Sequence, residues 1–251
     1  MTDRNAASEL LAVRGIKKVY ATLTALAGVD LTVTANSFHG LIGPNGSGKT
    51  TLLKCIAGAE SPTSGSIVFQ GSDITKATPA ERSRAGMSLK FQITSVLASL
   101  TVYDNVLLAL QSGEAMAALL FSRSRARLHE QAMAMLNQFR LDSRRHELAG
   151  SLSHGQQQWL EIAMALAREP RLLLLDEPTA GMSPQERRVT GELLTPLRQR
   201  CSLLIVEHDL DFIKDICDTL TVLDQGLVAD SGPTQAVQAS TKVKEAYLAH
   251  A

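Results

Sequence analysis

A short glycine-rich stretch, GPNGSGKT at residues 43–50, has the residue types needed to hold a chain of phosphates. Glycines let the backbone curl so that successive N–H groups point inward, and a following helix adds the positive end of its dipole. The stretch matches the phosphate-binding pattern G-x-x-x-x-G-K-[ST], with a strand-like HGLI before it and a helix-forming TTLLKCIAG after it. A glycine-rich turn without a ligand is the alternative, and this context weighs against it.

The same loop supplies a cation and two hydroxyl groups in consecutive positions. We expect Lys49 to reach the β- and γ-phosphates, while the hydroxyl of Thr50 suits Mg²⁺ and that of Thr51 suits a phosphate oxygen. The predicted nucleotide-binding residues of the loop are Gly43, Asn45, Gly46, Ser47, Gly48, Lys49, Thr50 and Thr51.

Two acidic residues follow a run of leucines in RLLLLDEPTAG. The unbroken apolar run predicts a strand buried on both faces of a parallel sheet, with Asp176 and Glu177 at its tip. We expect Asp176 to hold Mg²⁺, directly or through water, and Glu177 to polarise an attacking water as a general base. Carboxylates that merely end a strand are the alternative, which the phosphate loop upstream makes less favourable.

A third apolar run, CSLLIVEHDLDF, also ends in polar residues. Because ligands bind where the parallel strands of such sheets end, His208 should face the same site. A neutral imidazole there can donate to the γ-phosphate and so sense its presence. A surface histidine without a role is the alternative.

The segment SLSHGQQQWLEIAMALAREP predicts a helix that starts near a second anion site. Ser153 is a suitable N-cap, and the apolar residues that follow recur at helical spacing. The residues from Ser153 to Gln156 should therefore form the mouth of this helix.

Together these segments resemble the nucleotide-binding subunits of ABC transporters. LSHGQ is similar to the LSGGQ signature of that family and stands just before the strand that carries LLLLDEP. The resemblance implies an α/β fold, with a RecA-like P-loop NTPase core, a small antiparallel β subdomain and an inserted α-helical subdomain. It also implies that two subunits pack head to tail around ATP, so that Ser153, Gly155 and Gln156 would bind nucleotide held by the partner's phosphate loop.

The family pattern assigns two further residues and supports a third. Tyr20 matches the aromatic residue that stacks on adenine, with ordinary strand packing as the alternative. Gln92 matches the glutamine that bridges Mg²⁺ and the face toward the membrane partner, and His208 matches the switch histidine.

The resemblance covers essentially the whole chain and implies a single nucleotide-binding domain over residues 1–251. Its antiparallel β and catalytic core is expected at about 9–92 and 168–251, with the helical subdomain at about 93–167. Alternating apolar residues at about 9–40 and 65–69 suit the antiparallel sheet, and helical patterns occur at 102–110 and 125–139.

Two positions depart from the common family pattern. His154 stands where the signature has glycine, and Ser183 lies near the place of the usual aspartate in the loop after Glu177. Both departures resemble the importer ATPases for branched-chain amino acids and for urea or short amides, as do LKFQITSV, LTVYDNVLLAL and the closing KEAYLAH.

The resemblance therefore implies an ATPase that uses ATP and Mg²⁺ to drive import. Its expected partners are a second ATPase subunit, identical or paralogous, two membrane permease subunits and, indirectly, a solute-binding protein. The expected location is cytoplasmic, on the inner face of the plasma membrane. The alternatives are the ATPase of an exporter or lipid extractor, and a soluble ABC ATPase acting on DNA or ribosomes.

The amino-acid composition argues against several classes of function and location. Lys plus Arg and Asp plus Glu each total 25, so no net charge attracts nucleic acid, and no nucleic-acid partner is expected. The three cysteines have no CxxC pairing and are expected in the core of a protein from a reducing compartment. The N-terminus lacks the pattern of a signal peptide, and no apolar run reaches the length of a membrane span.

Overall fold

The computed structural model describes residues 9–90, 96–112 and 122–241. The strands are β1 (Glu9–Tyr20), β2 (Leu23–Thr34), β3 (Phe38–Ile42), β4 (Ser64–Phe69), β5 (Ser72–Asp73), β6 (Met87–Lys90), β7 (Leu172–Asp176), β8 (Ser202–Val206), β9 (Thr219–Asp224) and β10 (Leu227–Pro233). The helices are α1 (Lys49–Ala57), α2 (Pro79–Arg84), α3 (Val102–Gln111), α4 (Ser122–Gln138), α5 (His154–Leu166), α6 (Pro184–Leu194), α7 (Leu210–Ile216) and α8 (Thr234–Ala239).

The larger sheet has the strand order β10-β9-β3-β8-β7-β6. Its strands from β9 to β6 run parallel, and β10 pairs antiparallel with β9. All five residues of β3, β7 and β8 are buried, as unbroken apolar runs require in a sheet covered on both faces. Because these neighbouring strands run parallel, the loops that follow them open at the same edge of the sheet.

The smaller sheet is antiparallel, with the order β2-β1-β4-β5. Alternate residues of β2 are buried from Val29 to Val33, which is the pattern of a strand with one apolar face. The predicted antiparallel sheet is therefore confirmed, with one correction: Phe38 to Gly40 belong to β3 of the larger sheet. These residues are fully buried between two parallel strands, so their apolar pattern is continuous rather than alternating.

Helix α1 joins the two sheets. Its residues Leu52 and Ile56 are fully buried in a cluster that includes Leu26 of the smaller sheet and Leu204 of the larger one. Its C-terminal end is held by Arg82 of α2, whose guanidinium donates to the carbonyl oxygens of residues 55 and 56 at 2.7 and 2.6 Å and to those of residues 75 and 77. The smaller sheet and α2 thus hold α1, the helix that follows the phosphate loop, in place.

Helices α3, α4 and α5 pack on one another, α5 contacts β6, and their buried residues belong to the apolar cluster on the face of the larger sheet opposite α1. A buried ion pair between Lys90 Nζ and Glu161 Oε2, 3.4 Å apart, ties α5 to β6. The predicted helices at 102–110 and 125–139 are confirmed as α3 and α4, whereas the proposed subdomain boundaries stay a prediction. The three cysteines are buried and unbridged, as expected. Across the described ranges, no helix is both long enough and apolar enough to span a bilayer.

Candidate active site

The phosphate loop connects β3 to α1 and depends on glycine at two close contacts. Gly43 has φ +151°, and a Cβ placed there would lie 2.1 Å from the Leu223 carbonyl oxygen. Gly48 has φ +105°, and its Cβ would lie 2.7 Å from the Ala25 carbonyl oxygen. By contrast, a Cβ on Gly46 would meet no atom within 4 Å, although its φ is +80°. The loop is therefore packed against β2 and β9 on its outside and open at its tip.

Lys49 is the buried cation of this loop. Its Nζ donates to the carbonyl oxygens of Gly43 and Pro44 at 2.8 and 2.9 Å, so the side chain curls back over its own loop. Burial lowers the pKa of Lys49, while the nearby carboxylates of Glu177 and Asp176 oppose the shift. The phosphate loop and the acidic pair predicted from the sequence thus face each other.

Two buried oxygen atoms at this edge suit a phosphate and a metal ion. Within the described part of the chain, Oγ of Ser47 and Oδ1 of Asp176 have no hydrogen-bond partner. A buried polar atom without a partner is costly in a folded protein, so such atoms mark places where a ligand completes the structure. Thr50 is exposed beside them, and its hydroxyl is the expected third oxygen. This donor set fits Mg²⁺ held by one carboxylate, a hydroxyl and phosphate oxygens.

Glu177 has an unusual backbone conformation. Its φ is +47°, in the left-handed region that glutamate rarely adopts, and its N–H donates to the Val206 carbonyl at 2.9 Å. The turn after it is fixed by Glu207, which is fully buried and accepts from the N–H and hydroxyl of Thr179 at 2.8 and 2.6 Å. Six other described non-glycine residues also have positive φ, so Glu177 is distinguished by its place at the tip of β7 as well as by its conformation. The role of Glu207 was not predicted from the sequence, although a carboxylate that ends a buried strand was a usable signal.

His208 follows β8, next to the tip of β7. The strand register pairs Val206 with both Asp176 and Leu41, which places His208 at the same edge as the phosphate loop. Its imidazole is 61% exposed, and Nδ1 lies 3.8 Å from Glu207 Oε2. The expected position is confirmed, and the role as a phosphate sensor stays a prediction.

The predicted N-cap of α5 is confirmed. Ser153 Oγ accepts from the Gln156 N–H at 3.3 Å, and Gln156 Oε1 accepts from the Ser153 N–H at 3.2 Å, which is a complete capping box. Gln156 Oε1 also accepts from Arg144 at 2.6 Å. The side chain of Gln156 is thus engaged within its own chain, and nucleotide contact by this segment stays a prediction.

The remaining predicted site residues lie at the surface of the protein or outside the residues that the structure describes. Tyr20 is 39% exposed at the end of β1, and Lys18 Nζ lies 4.7 Å from its ring centroid. This exposure disfavours the packing alternative, so adenine stacking stays a prediction. Asn45 is exposed at the loop tip. Gln92 lies outside the described residues.

Comparison with known proteins decides the family. Residues 26–180 match the family model described as ABC transporter, a span that includes the phosphate loop, the signature segment and the acidic pair. The chain belongs to the ABC transporter family.

This ABC cassette has relatives among importer ATP-binding proteins. It is 34% identical over 226 residues to the methionine import ATP-binding protein MetN of Haemophilus influenzae, covering 88% of this chain and 63% of MetN. The chain thus spans less than two thirds of the length of that relative. It is 33% identical over 251 residues to the high-affinity branched-chain amino acid transport ATP-binding protein BraF of Pseudomonas aeruginosa, covering 96% of this chain and 98% of BraF.

Solved structures confirm the fold of the cassette. The ADP conformation of MJ1267, an ATP-binding cassette of an ABC transporter, matches with a TM-score of 0.84 and 30% identity over 96% of this chain and 99% of that one. The predicted P-loop NTPase fold is therefore confirmed.

The acidic pair makes the stability of the nucleotide-free cassette depend on pH. Burial, and then the charge of Glu177, raises the pKa of Asp176 from 3.8 to about 6. Between these two pKa values, Asp176 is protonated in the folded state but ionised in the unfolded state. The stabilisation of the folded state by this proton is complete at lower pH and is lost as the pH rises through 6. We expect Asp176→Asn, which carries no charge, to raise the free energy of unfolding at pH 7.5 by about 1 to 3 kcal/mol.

The gain from Asp176→Asn should shrink toward pH 4, where the wild-type carboxyl is protonated in the folded state. Urea denaturation of both proteins without nucleotide, from pH 4 to pH 8, measures this difference. A gain that stays constant with pH would contradict the assignment to Asp176.

Proposed function

We propose that this chain is the ATP-hydrolysing subunit of an ABC importer for branched-chain amino acids or related small polar solutes, such as urea or short amides. The observation that carries the proposal is the match to BraF, which extends over nearly the whole of both chains. The open phosphate loop facing Asp176 and Glu177 supports the ATPase part of the proposal.

The phosphate loop binds ATP by exchanging internal contacts for phosphate contacts. The Lys49 ammonium leaves the two loop carbonyls that it now contacts and bonds to β- and γ-phosphate oxygens, which satisfy its charge better. The buried Ser47 hydroxyl gains an acceptor, and the N–H groups at the start of α1 face the phosphates. Tyr20 stacks on the adenine.

Hydrolysis requires a base beside the γ-phosphate. Glu177 accepts a proton from the attacking water, and its left-handed backbone, held by the Val206 carbonyl and by Glu207 through Thr179, fixes where the carboxylate lies. Bound Mg²⁺, held by Asp176, Thr50 and Gln92, would neutralise charge on the phosphates. His208 donates to the γ-phosphate from the neighbouring strand tip.

Two subunits are needed for turnover. The mouth of α5, at Ser153 and Gly155, contacts the γ-phosphate held by the partner's phosphate loop, so that ATP joins the subunits and hydrolysis lets them part. Attached permease subunits convert this opening and closing into transport, because ATP favours the closed dimer. The cassette therefore works on the inner face of the membrane, with a second ATPase subunit, two permeases and a solute-binding protein.

Uptake by cells tests this function. Cells whose only copy carries Lys49→Ala are compared with wild type for uptake of labelled leucine, methionine, urea and a short amide, with Lys17→Ala, an exposed lysine of β1, as the control. We expect the Lys49 variant to lose uptake of leucine, urea or the amide and the control to keep it, whereas loss of methionine uptake alone would contradict the proposed substrate class. If all four uptakes persist with the variant expressed, the importer assignment is wrong and the exporter or remodelling functions gain support.

A further inference from the structure

One of the two departures from the family pattern, His154, contacts the loop that contains the other, Ser183. The imidazole of His154, at the start of α5, bonds through Nε2 to the Ala180 carbonyl oxygen at 3.1 Å. Ala180 belongs to the loop that runs from Glu177 to Ser183. The residue that replaces the signature glycine thus reaches the loop in which the usual aspartate is missing.

The chemistry of this contact fixes its direction. A carbonyl oxygen only accepts hydrogen bonds, so Nε2 of His154 carries the proton and donates it. The ring also lies against Gly181, where a Cβ would stand 3.3 Å from His154 Cδ2 and where φ is +72°. A side chain at 181 would therefore crowd the imidazole as well as strain the backbone.

Further contacts join α5 to α6, the helix that follows this loop. Ser183 caps α6, and Glu186 Oε2 accepts from its N–H at 2.9 Å and from its hydroxyl at 2.8 Å. The other oxygen of Glu186 lies only 2.7 Å from the position of a Cβ on Gly155. Trp159 of α5 donates to Thr190 of α6 at 2.8 Å. The starts of α5 and α6 are thus in contact through side chains and backbone.

We propose that His154 is a positioning residue that ties the start of α5 to the loop after Glu177. The bond holds Ser153 and Gly155, which face the partner's nucleotide, at a set position relative to the base that acts on the subunit's own nucleotide. The closed dimer then forms from a surface that is already ordered, which lowers the entropic cost of association. This inference rests on the proposed function, since it needs an ATP-joined dimer.

Substitutions at 154 in Glu177→Gln protein test the proposal, because that protein should accumulate the ATP-bound dimer. The parent is compared with versions that also carry His154→Ala, His154→Gln or, as a control, His146→Gln at another exposed histidine. Sedimentation velocity over a series of protein concentrations with ATP gives the dimer dissociation constant. Melting temperature and the fluorescence of Trp159, the single tryptophan, report folding and the packing of α5.

We expect His154→Ala to weaken the ATP-dependent dimer about two- to tenfold, the range for one net hydrogen bond, with Trp159 fluorescence unchanged and the melting temperature lowered by no more than roughly 5 °C. His154→Gln should recover most of the loss, because its amide N–H can donate to the same carbonyl. With Glu177 restored, His154→Ala should raise the apparent KM for ATP at limiting protein and leave kcat at saturating protein near wild type.

Three results would overturn the proposal: an alanine variant that dimerises like its parent, a glutamine variant as weak as the alanine variant, or a weaker dimer accompanied by a change in Trp159 fluorescence, which would show that α5 had repacked. A parent protein that never dimerises with ATP would instead refute the proposed function, so the two failures are distinguishable.

Discussion

Replacing Glu177 with glutamine should lower ATP turnover by about 10²- to 10⁴-fold and leave ATP binding intact. The amide keeps the size of the side chain and the backbone bond to the Val206 carbonyl, but it cannot take a proton from water. Steady-state phosphate release measures turnover, and a fluorescent ATP analogue measures binding.

Glu169→Gln is the matched control for this substitution. Glu169 is exposed, has φ +48° and precedes β7 at the end of the strand opposite Glu177. The control therefore removes a carboxylate from a residue with the same backbone conformation, at a position outside the active site. Turnover in the Glu177 variant equal to that in the control would remove Glu177 from the role of general base.

The second large effect concerns stability. Arg82 is 2% exposed and donates four hydrogen bonds to backbone carbonyls, two of them in the last turn of α1. Arg82→Met keeps much of the apolar stem but removes all four of these bonds, although the carbonyl of residue 55 keeps the Gly58 N–H as a donor at 3.2 Å. We expect it to lower the free energy of unfolding by about 2 to 5 kcal/mol.

The melting temperature of the Arg82→Met protein should fall by roughly 5 to 15 °C, and calorimetry measures it. Arg84→Met, in the same helix, is the control: Arg84 is exposed and donates to the Ala80 carbonyl at 3.3 Å. The control should melt within about 2 °C of wild type, since exposed substitutions change stability little. Equal melting of both variants would contradict the capping role of Arg82.

The parts of the site that the sequence predicted are those set by local patterns. The glycine spacing of the phosphate loop follows from backbone geometry at Gly43 and Gly48, and the apolar runs that end in Asp176 and His208 follow from burial on both faces of a parallel sheet. The capping box at Ser153 needs only residues within one turn. Each of these features is specified by neighbours in the chain.

The missed features depend on contacts between distant segments. Arg82 and Arg84 look alike in PAERSR, and only the packing of α2 against α1 decides which of them is buried. The bond from His154 to the Ala180 carbonyl and the hold of Glu207 on Thr179 arise from the arrangement of strands and helices. Of these features, only Glu207 had a signal in the sequence, as a carboxylate at the end of a buried strand, and its partner Thr179 had none.

We propose that ATP joins two copies of this cassette, through the phosphate loop of one copy and the mouth of α5 in the other. The most direct test is sedimentation velocity of purified Glu177→Gln protein with and without ATP, beside the same protein carrying Lys49→Ala. We predict a dimer only when ATP is present and Lys49 is intact. A species that stays monomeric with ATP, or that dimerises regardless of ATP or Lys49, would contradict it.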